Sequence, residues 1–72
     1  MRFSEMGRIQ GYLRKAFDNN RITVPTPAKK DAPVEVYLGD EFIGVLHRDE
    51  DEGEISYSFI MTILSIDLPN LD

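Results

Sequence analysis

The stretch Val34-Glu35-Val36-Tyr37-Leu38-Gly39-Asp40-Glu41-Phe42-Ile43-Gly44-Val45-Leu46 decides the fold. Apolar and polar residues alternate on both sides of Gly39-Asp40, the signature of two strands with one buried face. Gly at the first central position of a two-residue turn takes positive φ at no steric cost, so the pair closes a β-hairpin. A turn of that length sets Tyr37 opposite Phe42, Val36 opposite Ile43 and Val34 opposite Val45. The predicted strands run over 34–38 and 42–47.

C-terminal to the hairpin, Arg48-Asp49-Glu50-Asp51-Glu52-Gly53-Glu54 reads as an acidic, solvated connection. A long strand over 55–66 follows. Ile55, Tyr57, Phe59, Met61 and Ile63 recur at period two, while Ile60 and Leu64 add apolar surface to the other side. Its second half therefore reads as a central strand, until Pro69 stops it.

N-terminal to the hairpin, Met6, Ile9, Leu13, Ala16 and Phe17 gather on one side of a 3.6-residue turn and predict a helix over 4–17. Ser4 suits its N-cap, and an Asn of Asp18-Asn19-Asn20 suits a left-handed end. Leu13 and Phe17 are the expected core anchors, with Tyr12 at the rim. Gly7 and Gly11 each cost roughly 1 kcal/mol against Ala in a helix interior. They form a smooth stripe with Ser4 that either admits a neighbouring backbone or merely weakens the helix. Ile22-Thr23-Val24 reads as a short strand, and Pro25, Pro27 and Pro33 bracket an exposed loop.

The sum is one α+β domain over residues 1–72, an N-terminal helix packed on a small three- to four-stranded antiparallel meander. One helix covers one face of a sheet. In the hairpin register above, Tyr37, Phe42, Leu46, Ile60 and Leu64 fall on the other face. They form the candidate interface, and a homodimer is the expected assembly.

Composition narrows the function. The chain of 72 residues has no cysteine, which excludes disulfide frameworks and cysteine-rich zinc sites. Its longest apolar run, 59–64, is far short of the roughly 20 residues that span a bilayer. With no apolar stretch after Met1-Arg2-Phe3-Ser4-Glu5, the expected location is the cytoplasm. The net charge of −5 divides into +5 over residues 1–30 and −10 over residues 31–72. A basic segment of Arg8, Arg14, Lys15, Arg21, Lys29 and Lys30 raises a small nucleic-acid-binding protein as the alternative. The overall charge opposes it, since it repels a polyanion.

Catalytic constellations are weak. His47 is the one histidine, and spacing fixes no second ligand for it beside Asp49 and Asp51. A calcium loop starting at Asp49 would put Gly53 at position 5 and Ile60 at position 12, against a required Gly at 6 and Glu at 12. No nucleophile elbow or phosphate loop occurs. Tyr37, Phe42, Tyr57 and Phe59 are interleaved with acids and serines, unlike an RNA-binding platform. The reading is a non-enzymatic interaction or structural module with no cofactor or metal and an unidentified protein partner.

Four segments carry a resemblance: Tyr12-Leu13-Arg14, the hairpin from Ala32 to Leu46, the stretch from Asp49 to Phe59, and Met61 to Leu68. Together they resemble a family of short alphaproteobacterial proteins known as domain of unknown function 3126. The resemblance implies a bacterial cytoplasmic protein with no assigned activity and no functional residue to carry over.

Overall fold

The computed structural model describes residues 1–29 and 32–70. It contains α1 (Phe3–Ala16), β1 (Ile22–Thr23), β2 (Val34–Leu38), β3 (Glu41–Asp51), β4 (Glu54–Ile60) and a 3-10 turn at Ser65–Asp67. The four strands form one antiparallel sheet in the order β1-β2-β3-β4. This is the expected α+β meander with its N-terminal helix.

The N-cap lies two residues before the expected one. Arg2 is the N-cap, and its amide donates to Glu5 Oε1 at 3.0 Å. That bond is the reciprocal half of a capping box. Ser4 lies inside the first turn. At the other end Asp18, not an Asn, takes the left-handed conformation at φ 50°. The amides of Asn19 and Asp18 donate to the carbonyls of Arg14 (2.9 Å) and Lys15 (3.3 Å), the paired bonds of a Schellman end.

Met6 and Leu13 bury against Ile22, Val24, Val34, Val36 and Leu46, with Val36 fully enclosed. Two polar bonds fix the helix on β1 and the start of the loop. Gln10 Oε1 accepts from the Val24 amide at 2.9 Å, and Arg14 Nε donates to the Ile22 carbonyl at 2.7 Å. Phe17 is not a core anchor. It lies past the last turn, 55% exposed, with its ring edge-on to Phe59 at 6.3 Å.

The first hairpin closes as expected at Gly39 (φ 62°), with Leu38 opposite Glu41 and Tyr37 opposite Phe42. Beyond that pair the register departs from expectation. Val36 opposes Gly44 and Val34 opposes Leu46, because a β-bulge at Ile43 inserts one residue into β3. One extra residue moves every later side chain of the strand to the other face. Leu46 therefore points to the helix and enters the core, and Val45 points away. The bulge also gives Gly44 its role: a Cβ there would collide with the Phe59 ring and the Ile60 carbonyl oxygen.

The acidic segment is not a loop. β3 continues through Asp51 and β4 begins at Glu54, so Glu52-Gly53 alone forms the turn. Both turn residues have positive φ, 51° and 83°, as a type I′ hairpin requires. The resulting hairpin extends beyond the helix, and the molecule measures 48 × 25 × 25 Å. β4 is an edge strand rather than a central one, and it stops at Ile60 instead of running to 66. Val45 is its last partner on β3. Past that residue β3 bends at the bulge, which ends the ladder.

Candidate functional site

The outer face of the sheet carries three of the five expected interface residues. Tyr37 and Phe42 meet edge-to-face with ring centroids 5.8 Å apart. Ile60 shares that face, paired across the ladder with Val45. Phe42 and Ile60 are each half exposed, at 51% and 50%. Leu46 is excluded by the bulge, and Leu64 stands beyond the end of β4 in extended backbone. Sequence reasoning missed Val45, which replaces Leu46 in this patch. The isolated Gly44 was the available signal, because a glycine inside a strand pattern marks a bulge.

Polar groups border the patch. The Tyr37 hydroxyl donates to Glu35 Oε1 at 3.2 Å, and the nearby Glu35 charge raises the phenol's pKa. His47 lies on the same face opposite Ser58, exposed. Asp49, Asp51 and Glu54 continue that face toward the hairpin tip at alternate strand positions. Among the described residues, no three His, Asp or Glu side chains converge on a common point that could hold a metal ion.

The helix side carries a second feature, a groove of about 670 Å³ between α1 and the β3–β4 hairpin. Ile9, Tyr12 and Leu13 form its helical wall, and Leu46, Ile55 and Phe59 its floor. At one end Glu5 gathers two partners from the hairpin. Arg48 Nε donates to Glu5 Oε2 at 2.8 Å, and the Tyr57 hydroxyl donates to the same oxygen. Arg48 also reaches Glu50 Oε1 at 3.3 Å. The Tyr57 bond, then the Arg2 amide and Arg48, hold the Glu5 carboxyl at a pKa of about 2. The same contact with Glu5 raises the pKa of Tyr57 and of Arg48. In the sequence Glu5 reads as a helix-dipole residue and Arg48 as the first residue of a loop. Their meeting becomes visible once β3 and β4 are extended, because Arg48 and Tyr57 are then cross-strand partners on the helix side.

The basic residues do not form one strip. Arg14 is committed to the Ile22 carbonyl, Arg21 lies against Gly39 on the sheet, and Arg8 stands on the groove rim. Lys29 lies in the loop beside the helix start. Lys30 falls outside the described residues. The part of the Pro25–Pro33 loop that is described, with Thr26 to Lys29 and Ala32, lines the helix N-terminus and Val34, not the outer sheet face.

One helix on a bulged four-stranded meander, with an apolar patch on the outer sheet face and a lateral groove, defines a small α+β domain. The chain belongs to the family described as protein of unknown function (DUF3126), which matches residues 5–67. That match spans α1 from Glu5 onward, all four strands and the 3-10 turn. No curated protein and no solved structure matches the chain. Among the described residues, no helix is long and apolar enough to cross a membrane.

Proposed function

We propose that this protein is a non-enzymatic module that self-associates, with the outer sheet face around Tyr37, Phe42, Val45 and Ile60 as a contact surface. The observation that carries the reading is an excess of surface. The chain exposes 6221 Å², whereas a compact monomer of 8.2 kDa exposes roughly 4,500 Å². The difference, about 1,700 Å², is twice the roughly 800 Å² that each partner buries in a standard interface. The radius of gyration agrees, 13.9 Å against roughly 11 Å for a compact domain of this length. Much of the excess is apolar. Phe42, Ile60 and the residues after β4 bring large hydrophobic side chains to the surface, and surface of that kind on a chain without disulfides favours a second subunit.

A two-fold axis would bring the same patch from each copy together, with the aromatic pair Tyr37–Phe42 at its centre. Light scattering at micromolar concentration tests the proposal. The expected mass is twice 8.2 kDa, returning to 8.2 kDa in Phe42→Glu with helix content retained. A wild-type mass that stays at 8.2 kDa on concentration overturns it.

A further inference from the structure

We infer that the groove between α1 and the β3–β4 hairpin receives the C-terminal segment, Met61–Leu68, of a second copy of this chain. The inference rests on the self-association proposed above and assigns it a second surface, on the helix side of the sheet. Five of the segment's eight residues are apolar: Met61, Ile63, Leu64, Ile66 and Leu68. All five are more than half exposed, Ile66 at 85%, and the 3-10 turn within the segment packs on no strand and not on α1. Such a segment exposes apolar area that folding of its own chain leaves in water.

The groove offers what the segment lacks. Its walls are apolar, with Ile9, Tyr12, Leu46, Ile55 and Phe59, and Tyr12 is itself 70% exposed. The excess surface of about 1,700 Å² per chain exceeds what one standard interface buries, so the sheet-face patch leaves room for a second contact of this size. Charge agrees as well. Asp67 is the one charge in the segment; of the charged residues lining the groove, Arg8 is opposite in sign and Glu5 is already bound to Arg48 and Tyr57.

The segment's own chain is a poor host. β4 runs from the hairpin tip at Glu54 to Ile60, and the groove extends back along β4 toward Ile55 and Tyr57. To enter its own groove the chain would have to reverse directly after Ile60. The residues there, Met61-Thr62-Ile63-Leu64, include no Gly, Pro, Asn or Asp, the residues that make tight reversals. The backbone at Leu64 and Leu68 is extended instead (φ −79° and −75°). Five extended residues and the 3-10 turn together reach roughly 22 Å, about the length of β4, enough to run beside that strand on another copy.

The absence of cysteine makes a clean test. A Tyr12→Cys protein is mixed with a Leu64→Cys protein, and separately with an Ile66→Cys protein, each otherwise full length, under mild oxidation. At least one mixture is expected to give a disulfide species at twice 8.2 kDa, several-fold more abundant than from any variant alone. If the Tyr12→Cys/Leu64→Cys double variant instead closes within one chain and stays at 8.2 kDa, the segment occupies its own groove and the inference is overturned. No cross-link from either mixture, with light scattering still reporting a doubled mass, overturns the groove assignment while self-association stands. No cross-link and a constant 8.2 kDa mass overturn both. Circular dichroism of each variant verifies that the helix is intact before mixing.

Discussion

Glu5 and Tyr57 stand 52 positions apart in the chain, and the Tyr57 hydroxyl donates to Glu5 Oε2, the oxygen that also receives Arg48 Nε. The bond ties the first turn of the helix to the edge strand, across the mouth of the groove. It makes stability depend on acid. Glu5 has a folded-state pKa of about 2 against an ordinary 4.5, so the folded state binds its proton less readily than the unfolded chain. A depressed carboxyl pKa adds stability that is fully present above 4.5 and lost as pH falls toward 2. Thermal melts between pH 6 and pH 2 should therefore show a decline in wild type that is flatter in Glu5→Gln. Tyr57→Phe removes the largest cause of the depression and brings the folded-state pKa back toward 4.5, so its decline should be smaller than in wild type and finish at a higher pH. Equal slopes in all three proteins would show that the cluster does not hold in solution.

Gly44 supplies a second prediction. The position is buried opposite Val36, and an added methyl would meet the Phe59 ring and the Ile60 backbone. Overpacking of this kind costs about 1–3 kcal/mol. For a domain of 60–100 residues each kilocalorie is worth about 4–8 °C in melting temperature. Gly44→Ala should melt several degrees below wild type, and a calorimetric midpoint that does not move would mean that β3 and β4 are less closely apposed here.

The same glycine explains where the sequence was legible and where it was not. Helix, hairpin and meander follow from local periodicity and from Gly39, whose positive φ the turn demands. The bulge at Ile43 does not, because alternation through Phe42-Ile43-Gly44-Val45-Leu46 fits either face once the register is free to slip by one. That slip exchanged Leu46 for Val45 in the candidate patch. The long apolar run from Phe59 to Leu64 misled for a different reason. Periodicity reports which residues are apolar, not how many strands stand beside them: β4 is the edge of the sheet and ends at Ile60.

The helix anchors separate on the same physical ground. Leu13 is 7% exposed within the core cluster, so Leu13→Ala should cost about 2–5 kcal/mol, a large part of the stability of so small a domain. Phe17 is mostly in solvent and keeps one edge contact with Phe59, so Phe17→Ala should cost far less, of the order of the 0.5–1.5 kcal/mol that an aromatic pair is worth. Urea unfolding followed by circular dichroism measures both. Equal costs would place Phe17 in a core that the present packing denies it.

Gly7 and Gly11 should be the reverse case, positions where a larger residue helps. Beyond its chain neighbours and the backbone of its own helix, neither glycine has an atom within 4 Å of where a Cβ would stand, and both are helical with no positive φ. In a helix interior Ala is favoured over Gly by roughly 0.8–1 kcal/mol, through the smaller backbone entropy that the unfolded chain loses. Gly7→Ala and Gly11→Ala should each raise stability by about that amount, and the double variant by nearly the sum if the two sites act independently. The two glycines lie on the opposite side of α1 from Ile9 and Tyr12, whose side chains line the groove, so the substitutions should leave the cross-link between copies unchanged. Melting temperature reads the first effect and disulfide yield the second. A loss of stability in both single variants would mean that the smooth stripe is occupied by another backbone in the assembled protein, the one arrangement in which a glycine there is worth its cost.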